Sequence, residues 1–323
     1  MTQAKLNCKK LVAGSLILAG LLTGFSTASA AEPSAARAAL KVPLAEMAPL
    51  AAVTHAGDTL VALGDYGVIL TSTDGKGWTQ ANVPVDTPLT AASFVDAKEG
   101  WVVGHGGVVL HTVDGGKNWQ LQSRIDGAPV LLAVWFENAK HGIAVGAYGG
   151  AYETKDGGQN WLKIKVGEGR DGDLHLNTIF ADSSGNLFLA AESGGAFRSA
   201  DRGVTWSRLK TGVNGSLWNG LTLKDGTVLL LGMSGRILAS RDHGVTWNII
   251  ASGTQQALTS AAELPDGRVV VVGNGGVVTS SSPGALNFVA KVRDDRQNLA
   301  AVAAVPGQKD LLLFGQQGVK RQP

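Results

Sequence analysis

The residues with the clearest chemical potential in this sequence are aspartates that recur in glycine-rich turns ending in tryptophan. One turn reads TVDGGKNW at 112–119, and a near copy, TKDGGQNW, follows at 154–161. A carboxylate beside an aromatic ring could belong to a catalytic site, with the aspartate as a general acid or base. The alternative is a structural turn that recurs because the fold itself repeats. The number and spacing of further copies decide between these interpretations.

The turn recurs at a nearly constant interval. Five copies follow one another at intervals of about 41 to 45 positions, and a degenerate sixth, SSSPGALNF, ends at Phe288. A catalytic interpretation would require five equivalent active sites, so a structural role is favoured. The pattern is the Asp-box, S/T-x-D-x-G-x-x-W, whose aspartate accepts backbone N–H bonds across the turn while glycine adopts a positive φ and tryptophan packs beneath. The predicted structural residues are Asp74, Trp78, Asp114, Trp119, Asp156, Trp161, Asp201, Trp206, Asp242 and Trp247.

Between these turns the sequence predicts four short strands in each repeat. Short apolar runs alternate with Gly or Asp, and no helical periodicity is present. A period of this length is typical of four-stranded propeller blades. The sequence therefore predicts an all-β fold, a seven-bladed β-propeller spanning residues 31–323. The blades are expected to start near Leu50, Leu89, Leu131, Leu176, Leu217, Leu258 and Leu299.

The seventh repeat differs from the others because it stops after its third predicted strand and has no Asp-box. A spare extended segment, RAALKVPLAE at 37–46, precedes the first blade. Since a ring must cover its strand edges, we expect this segment to supply the outermost strand of the seventh blade and so close the ring.

Residues 1–30 have the features of a secretory signal peptide. Three lysines precede an apolar run at 11–25, and a small-residue cleavage site ends at Ala30. The run is shorter than the ~20 residues that a membrane span needs. Cleavage removes the single cysteine, Cys8, and lowers the Lys+Arg count from 28 to 25 against 26 Asp+Glu, a net charge of about −1. We expect a thiol-free periplasmic or secreted protein that does not insert into the membrane after cleavage and has no nucleic-acid partner.

Two long segments carry a family resemblance. FVDAKEGWVVGHGGVVLHTVDGGKNW at 94–119 and FENAKHGIAVGAYGGAYETKDGGQNW at 136–161 resemble photosystem II assembly and stability factor-like propellers with BNR repeats, a family that includes non-photosynthetic bacterial members. The resemblance implies a non-enzymatic role in assembling or stabilising a membrane-protein or envelope complex, with an RND-type exporter as one plausible client. Relatives carry an arginine-rich patch on one face, and arginines are frequent here in blades four and five.

The turns between second and third strands, here called the tips, are the predicted partner-binding positions. In a propeller the tips share one face with the links between blades. The tips vary in chemistry within a constant frame, and the link KVGEGRDGDLH at 165–175 is the longest and most charged. The predicted positions are Asp65, Tyr66, His105, Tyr148, Glu192, Met233, Asn274, Gln316, Arg170, Asp171, Asp173, His175 and Trp218. Solvated tips that vary freely are the alternative, and Trp218 could instead pack between blades.

No catalytic or metal constellation is indicated. Sialidases share the Asp-box but need three arginines, a tyrosine nucleophile activated by Glu, and an acid; Tyr66, Tyr148 and Tyr152 are the available tyrosines, and no arginine motif precedes blade one. Asp171 and Asp173 could suggest calcium, but the rest of a calcium loop is missing. We predict a non-enzymatic protein without cofactor or metal. Glycan binding or sialidase-like glycoside hydrolysis is the alternative function.

Overall fold

A computed structural model describes residues 37–308 and 310–322, which fold into seven antiparallel sheets. The predicted signal peptide, residues 1–30, lies outside the described residues. The prediction of an all-β, seven-bladed β-propeller is confirmed. The first strands contact one another in order around the ring, and the first strand of blade seven contacts that of blade one.

The first four blades follow one plan, in which consecutive strands pair with their neighbours. Blade one has β1 (Leu50–Ala56), β2 (Thr59–Gly64), β3 (Ile69–Ser72) and β4 (Thr79–Gln80). Blade two has β5 (Leu89–Phe94), β6 (Gly100–Gly104), β7 (Val108–Thr112) and β8 (Gln120–Arg124). Blade three has β9 (Leu131–Phe136), β10 (Gly142–Gly146), β11 (Ala151–Thr154) and β12 (Leu162–Lys163). Blade four has β13 (Leu176–Ala181), β14 (Leu187–Ala191), β15 (Ala196–Ser199) and β16 (Ser207–Arg208).

The last three blades keep this order, although the seventh has three strands. Blade five has β17 (Leu217–Thr222), β18 (Val228–Gly232), β19 (Ile237–Ser240) and β20 (Asn248–Ile250). Blade six has β21 (Leu258–Glu263), β22 (Val269–Gly273), β23 (Val277–Ser281) and β24 (Phe288–Val292). Blade seven has β25 (Leu299–Ala304), β26 (Leu311–Gly315) and β27 (Gly318–Gln322). Short 3-10 helices occur at Ala45–Met47, Asp65–Gly67, Gly169–Asp173, Met233–Gly235 and Asn274–Gly276.

The core lies between adjacent blades. Second strands such as β18 (VLLLG) and β22 (VVVVG) are buried at every position because each faces a neighbouring blade on both sides, which explains their continuous apolar sequences. Blades one and seven share a core in the same way, with Leu60, Leu312 and Phe314 all fully buried. The ring is therefore closed by side-chain packing.

Residues 37–46 contribute to closure differently from the prediction. None of them forms a strand, so the predicted outermost strand of blade seven is not present. Gln80 of blade one holds the segment instead: its Oε1 accepts the N–H of Val42 at 3.0 Å, and its Nε2 donates to the carbonyl of Leu40 at 2.9 Å. The 3-10 helix Ala45–Met47 then contacts β27. The segment closes the ring as a link, and the outer edge of β27 has no strand partner among the described residues.

Each Asp-box turn is held by a compact set of hydrogen bonds. In blade two, the Thr112 hydroxyl donates to Asp114 Oδ1 at 2.9 Å and accepts the N–H of Gly116 at 3.2 Å. Asp114 Oδ1 also accepts the N–H of Asn118 at 3.0 Å, and Trp119 Nε1 donates to the carbonyl of Gly116 at 3.0 Å. Hydroxyl, carboxylate and indole therefore satisfy the backbone of one tight turn.

The Asp-box turns also join neighbouring blades. The glycine of each turn lies against a residue in the second strand of the preceding blade, so close that a Cβ atom would fall within 3.4 Å of that side chain. In blade three, Trp101 Nε1 of the preceding blade also donates to the carbonyl of Gly157 at 2.9 Å. These contacts stabilise five of the seven junctions of the ring, including that between blades seven and one. The pairs are Gly75 with Leu312, Gly116 with Val61, Gly158 with Trp101, Gly203 with Ile143, and Gly244 with Phe188.

The Asp-box carboxylates should make the ring sensitive to strong acid. The hydroxyls of Thr205 and Thr246, followed by backbone N–H groups, hold the pKa of Asp201 and of Asp242 at about 2, below the ordinary value of 3.8. A lowered pKa contributes stability that is complete above about pH 4 and is lost as the pH falls toward 2. We expect melting temperatures to be level from pH 7 to 4.5 and to fall between pH 4 and 2. Asp201→Asn should reduce that fall, and an equal fall in wild type and variant would contradict the assignment.

Candidate partner-binding face

The tips and the links lie at the same end of the blades. In each antiparallel sheet the second strand ends where the first strand begins, so each tip adjoins the link that enters its own blade. In the described chain, six tips donate a backbone N–H to the carbonyl of the residue before the first strand. We call this end of the ring the channel face and the opposite end the Asp-box face. The bonded pairs are Asp65 with Pro49, His105 with Pro88, Ala147 with Val130, Glu192 with His175, Met233 with Ser216, and Asn274 with Ala257.

A central channel of about 330 Å³ is lined by all seven first strands. Polar side chains connect neighbouring strands along it: the Thr90 and Thr259 hydroxyls each donate at 2.7 Å to a carbonyl of the next blade. Asn177 Nδ2 does the same at 2.8 Å. Trp218 is half-buried and lines the channel, so its indole is accessible from the axis of the ring.

Three of the predicted tip residues meet in one pocket at the mouth of the channel. Asp65, Asn274 and Gln316 come from blades one, six and seven and line a cavity of about 290 Å³. Asn298, in the link to blade seven, lines the same cavity and was not among the predicted residues. Its Oδ1 accepts the N–H of Gly275 at 2.8 Å, which ties the link to the neighbouring tip. We call this cavity the mouth pocket.

A second group forms between blades three and four. The rings of Tyr148 and His175 lie 4.8 Å apart at a tilt of 53°. Glu192 Oε1 accepts the backbone N–H of His175 at 2.9 Å and lies 4.0 Å from its Nε2. Two tips and the end of the long link are therefore joined into one aromatic and acidic cluster.

The remainder of the long link is anchored to blade four. Its 3-10 helix, Gly169–Asp173, places Asp171 in an ion pair with Arg208 of β16, while Arg170 and Asp173 are exposed. Within the described residues there is no group of three or more side chains that could hold a metal ion.

Two tips carry tyrosine in an unfavourable backbone conformation. Tyr66 has φ 57° and Tyr148 has φ 54°, both in the left-handed region, and each residue is 69 % exposed. The matching position is serine in blades four and five, Ser193 and Ser234, at nearly the same φ. A bulky residue in this region costs roughly 1–2 kcal/mol, and such outliers cluster at functional sites. Exposed rings held at this cost favour a binding role for these tips.

The other predicted positions are separate from these groups. His105 and Met233 are exposed tips of blades two and five. The arginines of blades four and five do not form one patch, because Arg202 and Arg241 belong to turns of the Asp-box face whereas Arg236 follows a tip. Arg202 is paired there with Glu137 at 2.7 Å.

Seven blades around a channel define a β-propeller rather than a barrel or a sandwich. The family model described as photosynthesis system II assembly factor YCF48 matches residues 36–134 and 122–318. The chain belongs to this family.

Solved structures of the same fold are similar over nearly the whole chain. YCF48 bound to D1 peptide is 19% identical with a TM-score of 0.69, covering 90% of this chain and 98% of the other. YCF48 from Cyanidioschyzon merolae is 18% identical with a TM-score of 0.67, covering 88% and 97%. A GH74 enzyme from Niastella koreensis is 14% identical with a TM-score of 0.67, covering 85% of this chain and 52% of the enzyme. No curated protein sequence matches the chain.

Proposed function

We propose that this protein is a non-enzymatic assembly or stability factor that binds a membrane-protein client through its channel face. Membership of an assembly-factor family carries the proposal. The structure of YCF48 with a D1 peptide supports it, because that relative binds a polypeptide. The exposed tyrosines Tyr66 and Tyr148 provide the kind of aromatic anchor that dominates protein interfaces.

We place the protein in the periplasm after export. The lysines, apolar run and small-residue site within residues 1–30 support this location. Among residues 37–308 and 310–322, no helix is long and apolar enough to cross a bilayer. A complex of the envelope, such as an RND-type exporter, is the client that we propose.

Capture of the client from envelope extracts tests the function. Tagged protein is crosslinked in cells, purified, and its partners are identified by mass spectrometry. The double variant Tyr66→Ser, Tyr148→Ser replaces both rings by the residue that blades four and five carry at this position. We expect recovery of the client to fall about tenfold, because two exposed aromatic anchors are lost.

A matched control changes two exposed apolar residues on the opposite face. Val204 and Val245 are 73 % and 69 % exposed in turns of the Asp-box face. Val204→Ser with Val245→Ser should leave recovery of the client unchanged. An uncomplexed monomer from wild-type cells after crosslinking would argue against an assembly role.

Glycan hydrolysis or binding is the competing function. The GH74 enzyme shares the fold, although its similarity extends to the fold alone. Incubation with sialosides and binding to a glycan array distinguish the two. Turnover that is lost in the Tyr66→Ser or Tyr148→Ser variant would replace the proposed function by an enzymatic one.

A further inference from the structure

The mouth pocket combines one carboxylate with a set of neutral groups. Among the described residues that line it, Asp65 is the only charged one; the amides of Asn274, Asn298 and Gln316 lie around it, and Pro49, Ala51 and Ala300 supply its accessible apolar surface. At about 290 Å³ the cavity is near the lower end of the ~300–1,000 Å³ typical of ligand pockets, a size suited to one long side chain.

The backbone of Asp65 is fixed in place by hydrogen bonds, but the negative charge of its carboxylate is not paired with a cation among the described residues. Its N–H donates to the carbonyl of Pro49 at 3.1 Å, and its own carbonyl accepts the N–H of Val68 at 3.1 Å. Within the described residues its carboxylate has no ion-pair partner. The acids between blades three and four differ, since Asp171 is paired with Arg208 and Glu192 is bonded to His175. A half-buried, unpaired carboxylate at the mouth of a channel is positioned to accept a cation from outside.

We propose that the mouth pocket binds a lysine or arginine side chain of the client polypeptide. The aliphatic stem of such a side chain packs against Ala51 and Ala300 while its charged head reaches the Asp65 carboxylate and the amide oxygens of Asn274 and Gln316. Blades one, six and seven form the pocket, so the site exists only in the closed ring. This inference rests on the proposed function, because it names the chemistry by which the client is held.

Titration of the full-length mature protein by NMR tests the pocket. The probes are the blocked peptides acetyl-Gly-Arg-Gly-amide and acetyl-Gly-Lys-Gly-amide, with the neutral citrulline peptide as a negative probe. We expect a cationic peptide to shift the backbone resonances of Asp65, Asn274 and Gln316. Asp65→Asn should weaken this binding about tenfold, because a charge-assisted hydrogen bond becomes a neutral one.

Two further variants keep the test interpretable. Asp126→Asn removes an exposed acid in the link between blades two and three, outside the mouth pocket, and should leave the affinity unchanged. Gln316→Lys changes an exposed lining residue to a cation that competes with the peptide, so it should weaken peptide binding about as much as Asp65→Asn. It still tests the pocket if the Asp65→Asn protein does not fold. Equal binding of the citrulline and arginine peptides, or full affinity in both pocket variants, would overturn the proposal.

Client capture separates this inference from the function on which it rests. If wild-type protein captures a client but the cationic peptides do not bind, the mouth pocket is wrong and the assembly role stands. If the peptides bind in an Asp65-dependent manner and no client is captured, the pocket is correct and the proposed function fails.

Discussion

Trp101→Ala should lower the free energy of unfolding by about 3–5 kcal/mol, the loss expected when a large aromatic residue is removed from a packed core. Trp101 is completely buried, and its ring stacks on Phe136 with centroids 3.7 Å apart. The indole also donates to the carbonyl of Gly157, which would keep only its second donor, Gln122 Nε2 at 2.8 Å. The change therefore removes packing and a hydrogen bond at the junction of blades two and three. Denaturant unfolding followed by tryptophan fluorescence and circular dichroism measures it.

Two controls separate these contributions. Trp101→Phe retains most of the ring and removes the hydrogen bond, so we expect a smaller loss of about 1–3 kcal/mol. Trp135→Ala removes a half-buried indole of the next blade and should cost less than Trp101→Ala. If Trp101→Ala cost no more than Trp135→Ala, the junction would have repacked, and this contact would not be what holds the blades together.

Gly318→Ala should destabilise the protein by about 2–5 kcal/mol, because it combines backbone strain with a clash at the closure of the ring. Gly318 has φ 73°, and a Cβ atom there would lie 1.8 Å from the carbonyl oxygen of Glu46. The link that carries Glu46 would have to move away from β27. We expect a lower melting temperature and faster proteolysis of residues 37–48.

Gly212 provides a matched control that isolates the backbone strain of alanine at positive φ from the clash with Glu46. It has the same φ of 73°, and a Cβ atom would meet nothing within 4 Å. Gly212→Ala should therefore cost only the strain of the left-handed region, about 1–2 kcal/mol, and should not expose residues 37–48. Equal destabilisation by the two substitutions would show that contact with Glu46 does not close the ring.

The fold was predictable because its signals are local and repeated. The interval between Asp-box turns and the apolar runs before each turn indicate the blades, and the leucines that open the first strands lie where the structure begins them. The prediction of a closing strand was wrong because the position of residues 37–46 depends on one side chain that is distant in the sequence. Gln80, in the last strand of blade one, binds the backbone of Leu40 and Val42. No local pattern in residues 37–46 indicates that Gln80 holds this segment in place of a strand pairing with blade seven.

The sequence predicts on which face of the ring the tip residues lie, but it does not predict which of them lie next to one another. Topology places every tip on one face, but it does not show that Asp65, Asn274 and Gln316 share a cavity whereas His105 remains apart. Asn298 was missed because it is an ordinary polar residue of a link, and only its bond to Gly275 brings it to the pocket. The partner-binding roles of these residues remain predictions.

The packing of blade one against blade seven also sets a condition on folding during synthesis. Leu60 is synthesised early, whereas Leu312 and Phe314 follow it by about 250 residues. Until they arrive, an apolar flank of the first blade stays uncovered and open to proteases and chaperones, since contacts between distant parts of a chain form late. Synthesis of blade seven thus becomes the event that covers this flank and completes the core between blades one and seven.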